Sequence, residues 1–320
     1  MIICKTPFRI SLFGGSTDYK EFYSQNESIL IGFTLNKYGY LVVRETPDIL
    51  PHKTKISYSE IETISDNKFI KHNGVRGVFD FLKINQGFEI SYLSDLPART
   101  GIGSSSSFIV GLLNILYSHN KITFDKYKLA SDAIHVERNL LKEPGGIQDQ
   151  IWASYGGFNS ITIKKDGDFS VKPLPISESF TNNFLDRSIM IYTGKSRKSF
   201  KTANDNSNNS QSKNNIKHIA ESAYQLFIDE DIDAISKILH KSWEEKKKIS
   251  DNVSNKNVDL IYKELMEDGM IGGKLLGSGG SGFIFGILKS KSEKNKIKKK
   301  YKNLFVDFNI SYNGSEIINE

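Results

Sequence analysis

A glycine- and serine-rich segment directly before an apolar run constrains this chain most strongly. The segment reads PARTGIGSSSS over residues 97–107, and FIVGLLNILYSHN follows it. The run has helical spacing, with one apolar stripe formed by Phe108, Ile109, Leu112, Leu113 and Leu116. Glycines before a helix let the backbone approach a ligand, and the free N–H groups at the helix start attract anions. Taken alone, the stretch fits a phosphate site and an ordinary serine N-cap equally well.

The composition is that of an ordinary soluble protein with room for two modest domains or one large one. Of the 320 residues, 38% are hydrophobic and 25% are charged, which excludes wholesale disorder. The formal charge of +6 suits a small anionic substrate, although the lysines are spread widely. A single cysteine, Cys4, excludes an intrachain disulfide and fits a reducing compartment.

The sequence shows no pattern typical of a membrane segment or a signal peptide. No run approaches the roughly 18 apolar residues that a membrane span needs. The first residues, MIICKTPFRISLFGG, carry charged and polar side chains where a signal peptide has its apolar core. We therefore expect a cytoplasmic protein without a membrane partner.

Hydrophobic periodicity predicts mixed strands and helices in the first half of the chain. Residues 126–142 have the spacing of a helix, with Leu129, Ala133, Val136 and Leu140 on one face. Residues 156–176 alternate in the manner of a β-hairpin, and Asp166-Gly167 is a strong turn signal between its strands.

The pattern loosens around residues 173–186, which predicts a domain boundary there. The predicted domains are residues 1–180 and 181–320. Asparagine and serine dominate residues 202–215 without apolar periodicity, so we expect a mobile surface loop. Residues 306–314 read as a last strand.

A lysine-rich helix predicted over residues 292–305 raises the question of nucleic-acid binding. The helix lacks interleaved aromatic residues and clustered arginines. We interpret it as a solvated face and expect no nucleic-acid partner.

Common phosphate and hydrolase motifs are excluded. GIGSSSS has no lysine, which a Walker A loop requires. GSGGSG at 277–282 matches the dinucleotide fingerprint formally, but the strand-like FIFGIL follows it where a helix should begin. No G-x-S-x-G elbow and no Cys/His cluster with metal-ligand spacing occurs.

Three separated segments taken together resemble the GHMP kinases, the superfamily of galactokinase, homoserine kinase, mevalonate kinase and phosphomevalonate kinase. The segments are TPFRISLFGGSTDY, PARTGIGSSSS and KLLGSGGSG, in the family's order and over nearly the whole chain. The resemblance implies an α+β fold. An N-terminal domain like ribosomal protein S5 domain 2 would pack on a ferredoxin-like C-terminal domain, with the active site in the cleft.

The resemblance also implies ATP as phosphate donor and Mg²⁺ as cofactor. The residues expected to bind ATP are Thr100, Gly101, Ile102, Gly103, Ser104, Ser105 and Ser106. Ser105 and Glu137 match the family's Mg²⁺ ligands, and a divalent ion would neutralise phosphate charge during transfer. An exposed helix position is the alternative interpretation of Glu137.

Two residues match the family's catalytic positions. Asp149 corresponds to the aspartate beside the acceptor hydroxyl, as general base or orienting group. Arg9 corresponds to a fixed cation that lowers the hydroxyl's pKa and stabilises the transferred charge. The alternative for Asp149 is a helix cap.

The acceptor is expected to be a sugar, because Asp18 matches an aspartate that binds substrate hydroxyls. The other residues expected to contact it are Gly15, Ser16, Thr17, Gly146, Lys195, Arg197, Gly279 and Gly280. Galactokinase has a Glu-His pair where Gly15 and Ser16 stand here, so galactose is a poor candidate.

The segments PFRISLFGGSTDY, EPGGIQDQIWASYGGFN and YTGKSRKS resemble the sugar 1-kinases that act on D-glycero-D-manno-heptose 7-phosphate. A phosphorylated acceptor needs a second anion site, for which Arg76, Lys195, Arg197 and Lys198 are the candidates. The expected partners are a phosphosugar and ATP, and the chain is expected to be a monomer or homodimer. A kinase of an unphosphorylated sugar such as fucose, and a catalytically silent sugar- and ATP-binding sensor, are the alternatives.

Overall fold

Two β-sheets carry helices on their faces in this computed structural model, which describes residues 1–194 and 209–319. The strands are β1 (Ile2–Phe13), β2 (Ser28–Glu45), β3 (Thr54–Ser57), β4 (Ile61–Ile64), β5 (Phe88–Ser94), β6 (Phe158–Ile163), β7 (Phe169–Pro173), β8 (Ser188–Tyr192), β9 (Met270–Leu275), β10 (Phe283–Leu288) and β11 (Glu316–Asn319). The helices are α1 (Lys20–Tyr23), α2 (Asn73–Leu82), α3 (Ser104–His119), α4 (Lys126–Ile134), α5 (Gln148–Tyr155), α6 (Glu178–Arg187), α7 (Ser210–Ile228), α8 (Ile232–Lys247), α9 (Lys256–Glu267) and α10 (Lys291–Lys300). A π-helical turn, His135–Leu140, continues α4.

The larger sheet is built around the long pair of strands β1 and β2. Its strand order is β11-β1-β2-β5-β3-β4, and β6 pairs with both β2 and β7. The first half of β2 pairs with β6 and its second half with β5, so one strand connects the two arms of the sheet. The smaller sheet is antiparallel, with strand order β8-β10-β9.

Strand β1 has two irregularities in its pairing with β2, one just before Arg9 and one at Leu12. Its register with β2 shifts between Pro7 and Arg9 and again between Ser11 and Phe13. The second shift leaves Leu12 without a partner residue on β2, and its carbonyl accepts instead from Lys274 Nζ at 2.9 Å. Such bulges re-aim side chains and are frequent beside active sites.

A shared aromatic core holds the two sheets together. Phe33 of β2 is fully buried, and its ring packs against Phe158, Phe184, Phe285 and Phe308 at centroid distances of 5.1–6.1 Å. Because these rings come from both sheets and from α6, the cleft residues on β1 and β9 are held in a fixed relation.

Several predicted elements are confirmed. The run after the glycine-serine segment is α3, and the hairpin is formed by β6 and β7. Strand β10 follows GSGGSG, so the rejection of a dinucleotide fold there is correct. Helix α3 is buried on every side from Ser106 to Tyr117 rather than along one stripe.

The start of α3 distinguishes between the two interpretations of the glycine-serine segment, a phosphate site and an ordinary serine N-cap. Its N-cap is Gly103 in the left-handed conformation, with φ of +77°, and no side chain caps the helix. The ordinary serine N-cap is therefore wrong.

Three sequence predictions need correction. The helix predicted for 126–142 changes into the π-helical turn at His135, which rotates the following residues and leaves Leu140 44% exposed.

The surface loop predicted for 202–215 is partly helical. Residues 210–215 belong to α7, where the side chain of Asn209 accepts from Ser212 N. Residues 202–208 lie outside the described part of the chain.

The predicted strand 306–314 is extended chain with one bridge, Leu35 to Ile310. The side chain of Asn309 accepts a hydrogen bond from Ile310 N, and this bond competes with the backbone hydrogen bonds that pair two strands. The last strand is β11, which pairs with β1 in the larger sheet.

No helix in the described ranges, 1–194 and 209–319, is both long and apolar enough to cross a membrane.

We expect Phe33→Ala to lower the free energy of unfolding by about 3–5 kcal/mol, because it leaves a cavity between the sheets. Urea unfolding of the full chain measures the change. Phe69, which is 60% exposed, provides the control, and Phe69→Ala should cost no more than about 0.5 kcal/mol. Equal losses in the two variants would contradict the shared core.

Candidate active site

A cleft of about 270 Å³ brings the three glycine-containing segments together. Its walls come from β1 and the loop after it, the start of α3, the π-helical turn with the loop before α5, and the end of β9. The sequence-predicted residues that line it are Arg9, Gly15, Ser16, Asp18, Gly101, Gly103, Ser104, Ser105, Ser106, Glu137, Gly146 and Asp149.

An ion pair between Arg9 and Asp149 joins two walls of the cleft. Arg9 Nε and Nη2 each donate to one carboxylate oxygen of Asp149, both at 2.7 Å. Arg9 Nη1 donates to the Gly101 carbonyl at 2.5 Å. A bidentate pair fixes direction as well as distance. Asp149 therefore does not act as a helix cap, and the N-cap residue of α5 is Ile147.

Asp18 is fully buried beneath the loop that follows β1. Its carboxylate oxygens accept from the backbone N–H groups of Ser16 at 3.1 Å and Gln148 at 3.3 Å. Burial raises the pKa of Asp18, the nearby Asp149 carboxylate raises it further, and the backbone hydrogen bonds oppose the shift. The carboxylate is thus held by rigid backbone at the edge of the cleft.

The two glycine loops of the cleft touch backbone to backbone. A Cβ on Gly101 would lie 2.4 Å from the Leu276 carbonyl oxygen, and one on Gly277 would lie 2.3 Å from Gly101 Cα. Only glycine fits such an approach. The predicted phosphate loop, residues 100–106, is therefore in contact with the loop after β9.

The serines at the start of α3 differ in exposure. Ser105 is exposed in the cleft, whereas Ser106 is buried and donates to Glu137 Oε2 at 2.7 Å. Thr100 and Ile102 do not line the cleft. Thr100 Oγ1 donates to the Pro97 carbonyl, and the Ile102 carbonyl accepts from Arg9 N, so both residues support the loop from behind.

Glu137 lies in the π-helical turn and is only 1% exposed, so its interpretation as an exposed helix residue is wrong. Ser106 Oγ and Gln150 Nε2 both donate to Oε2, and Arg138 lies 3.9 Å from the same oxygen. Burial raises the pKa of Glu137, and Arg138 opposes this most strongly. The wide turn directs this carboxylate into the cleft.

Sequence reasoning missed two buried cations of the cleft. Lys274 on β9 and Lys246 on α8 are 3% and 6% exposed, and both line it. Lys246 Nζ donates to the Gly277 carbonyl. Burial lowers the pKa of Lys274 well below its usual value, and the charges of Lys246 and Arg9 lower it further. Lys274 is the first residue of the motif KLLGSGGSG, and this position was the sequence signal that could have identified it as a cleft residue.

Two further polar groups of the cleft were also missed. Ser11 Oγ and Gln148 Oε1 are buried and have no hydrogen-bond partner within the described residues. Buried polar atoms are nearly always paired, so these two are suited to a polar ligand.

Other predicted contacts lie elsewhere. Thr17 is buried and donates to the Gly14 carbonyl, so it shapes the loop and does not line the cleft. Gly279 and Gly280 pack against Val253, and the cleft is lined instead by Gly277 and Ser278 of the same loop.

Of the four cations predicted to bind the second phosphate, Arg76 is among the described residues, and it lies outside the cleft. Arg76 donates to the Ile70 carbonyl and to Asn73, outside the cleft. Lys195, Arg197 and Lys198 lie outside the described residues.

The donor set fits a hard divalent cation. Ser105 offers a hydroxyl and Glu137 a carboxylate across the start of α3, and oxygen ligands are those that Mg²⁺ prefers. Hydrogen bonds to Oε2 orient the Glu137 carboxylate as ligating carboxylates usually are.

Comparison with known protein families identifies the family to which the chain belongs. Residues 70–157 match the GHMP kinases N terminal domain, and residues 223–307 match the GHMP kinases C terminal domain. The chain belongs to the GHMP kinase family, an α+β family of kinases that use ATP as phosphate donor.

Several relatives match over most or all of the chain. The D-glycero-alpha-D-manno-heptose 7-phosphate kinase of Campylobacter jejuni is 28% identical over 97% of this chain and 96% of its own length. A D-glycero-D-manno-heptose 1-phosphate kinase from Bacteroides thetaiotaomicron has the same fold, with a TM-score of 0.82, 21% identity, and coverage of 100% of this chain and 99% of that one. The L-fucokinase/L-fucose-1-P guanylyltransferase of Bacteroides fragilis is 26% identical over 67% of this chain and 23% of its own length.

We expect Gly146→Ala to displace Asp18, because the new Cβ would lie 1.7 Å from Asp18 Oδ2. The KM for a sugar acceptor should rise roughly tenfold, the effect of one lost hydrogen bond to a charged group. Steady-state kinetics measures it. Gly167→Ala, in the hairpin turn at φ of +90°, strains the backbone outside the cleft and should leave KM unchanged. A normal KM in Gly146→Ala would contradict this geometry.

We expect wild-type stability to rise with pH relative to Lys274→Gln. The folded pKa of Lys274 lies below the usual 10.5, so the unfolded chain binds more protons and stability grows as pH rises between those two values. Urea unfolding of both proteins without ligand, from pH 6 to pH 9, measures the difference. Parallel pH curves would show that Lys274 has an ordinary pKa.

Proposed function

We propose that the protein is an ATP- and Mg²⁺-dependent kinase of D-glycero-D-manno-heptose 7-phosphate. It transfers the γ-phosphoryl group to the anomeric hydroxyl at C1 and forms the 1,7-bisphosphate. The reaction would serve the synthesis of nucleotide-activated heptose for surface polysaccharide.

The observation that carries the proposal is the bidentate pair of Arg9 and Asp149 directly beside the phosphate loop. Arg9 bonds both to the carboxylate and to the Gly101 carbonyl, so it connects the acceptor side of the cleft to the phosphate side. A carboxylate and a fixed cation at this junction are what phosphoryl transfer to a hydroxyl requires.

In the proposed reaction, Asp18 accepts hydrogen bonds from sugar hydroxyls and orients the ring. Asp149 accepts the proton of the anomeric hydroxyl, whose oxygen forms a bond to the γ-phosphorus. The bond from that phosphorus to the β–γ bridging oxygen breaks, and ADP leaves. Arg9 keeps the Asp149 carboxylate aligned and offsets negative charge at the transferred group.

The start of α3 supplies the phosphate-binding surface. Gly101 and Gly103 admit close approach of phosphate oxygens, and the N–H groups of Ser104 and Ser105 open the helix. Ser105 and Glu137 would hold Mg²⁺, whose charge neutralises oxygens of the β- and γ-phosphates.

Heptose 7-phosphate as acceptor is supported by the Campylobacter jejuni relative, which matches almost the full length of both chains. Two buried lysines in the wall of the cleft, Lys246 and Lys274, favour an acceptor that already carries a phosphate.

An unphosphorylated sugar is the second candidate, and the fucokinase relative favours it. That match covers 23% of the relative's length and 67% of this chain, which is less than the heptose kinase match. A silent sensor is disfavoured because such a protein has no need of the complete set of Arg9, Ser105, Glu137 and Asp149.

The experiment is Mg-ATP turnover with heptose 7-phosphate, free heptose, fucose and mannose as acceptors. Strong preference for the phosphorylated heptose supports the proposal. Better turnover of an unphosphorylated sugar would support the second candidate, and ATP binding without turnover of any sugar would support the sensor.

We expect Asp149→Asn to lower kcat about 10²- to 10⁴-fold, because the amide cannot accept the proton. Steady-state rates with the preferred acceptor measure the loss. Asp168→Asn removes a carboxylate that pairs with Lys164 in the exposed hairpin, and it should leave kcat unchanged. Full activity in Asp149→Asn would remove this residue from the mechanism.

A further inference from the structure

Lys274 lies beside the end of β1 and Asp18, the residue proposed to bind the sugar. Its Nζ donates to the carbonyl of Leu12, the bulged residue of β1 that comes shortly before the loop holding Asp18. Arg9, Lys246 and Asp18 are the charged groups close enough to influence it. Lys246, by contrast, bonds to the loop after β9 at Gly277, which touches the phosphate loop.

The hydrogen-bonding capacity of Lys274 is mostly unused. An ammonium group has three N–H donors, and the described residues provide one acceptor, a neutral carbonyl. A buried cation with a single neutral partner is unfavourable unless another group pairs with it. The remaining donors are available to a ligand, because the side chain lines the cleft.

Two arginines of the cleft wall, Arg9 and Arg138, are engaged by the protein itself. Arg9 is paired with Asp149 and bonds to the Gly101 carbonyl. Arg138 donates to the carbonyls of Gly146 and Glu143 and so holds the loop before α5. Arg99 also lines the cleft, but it is exposed and lies in the loop before α3. Lys274 is buried beside Asp18 and has donors that the described residues leave unused.

We propose that Lys274 binds the negatively charged group of the acceptor and thereby selects a phosphorylated sugar. This inference rests on the proposed kinase function. It assigns to a residue of β9 the role that the sequence suggested for Lys195 and Arg197. Ser11 and Gln148, whose unpaired oxygens share this wall, would bind hydroxyls of the same sugar.

The test is calorimetric titration of the full chain, saturated with a non-hydrolysable ATP analogue and Mg²⁺, with heptose 7-phosphate and with free heptose. Lys274→Gln keeps a donor for the Leu12 carbonyl and removes the charge, and Lys274→Met removes both. We expect either variant to bind heptose 7-phosphate about 10- to 100-fold more weakly, the effect of a lost charge-assisted hydrogen bond. Free heptose should bind as weakly to the variants as to the wild type.

Lys294→Gln is the matched control. Lys294 on α10 is half-buried and, like Lys274, donates to a backbone carbonyl, that of Leu185 at 2.7 Å, but it does not line the cleft. It should change neither affinity. Equal loss for both sugars in the Lys274 variants, or no loss, would overturn the inference while leaving the kinase proposal intact. A wild type that does not prefer heptose 7-phosphate would overturn the proposed acceptor itself, and the role of Lys274 with it.

Discussion

The three-way contact of Arg9 is the interaction on which the rest of the site depends. One guanidinium group on β1 joins the carboxylate at the start of α5 and the backbone of the phosphate loop before α3. Because Arg9 is almost completely buried, these bonds are shielded from water and give its side chain a single orientation. The Asp149 carboxylate and the loop before α3 are thereby held together around Arg9.

Tight backbone contacts hold the walls of the cleft close together around Arg9. Gly101 meets the loop after β9 at a distance that no side chain would allow, and Gly146 does the same for Asp18. The two sheets in turn are joined by the aromatic core around Phe33. The result is a cleft whose walls belong to distant parts of the chain but whose polar groups have fixed positions, as catalysis by positioning and charge requires.

Local sequence patterns predicted much of the fold, since α3, the β6–β7 hairpin and β10 each follow from periodicity and turn residues. Tertiary contacts decided the rest. Helical spacing alone placed Leu140 in the core, but the π-helical turn that carries Glu137 rotates it outward. The strand predicted at 306–314 was wrong because the Asn309 side chain accepts from the backbone N–H of Ile310 and competes with strand pairing.

The motifs brought Arg9, Asp18, Ser105 and Asp149 into one predicted site, and the structure places all four in the cleft. Burial is what the sequence could not show. Lys246 and Lys274 are two of many lysines, and only the fold removes them from water and places them in the wall of the cleft. Gly279 and Gly280 belong to the right loop, yet a turn of that loop directs them to Val253.

The most direct test of the account is the position of the new phosphate on the sugar. Phosphorus and carbon NMR of the product formed from Mg-ATP and heptose 7-phosphate should show a second phosphorus coupled to C1, with ADP released in equal amount. A new phosphate ester on the oxygen of any other carbon, or ADP released without a new phosphate ester, would contradict transfer to the anomeric hydroxyl beside Asp149.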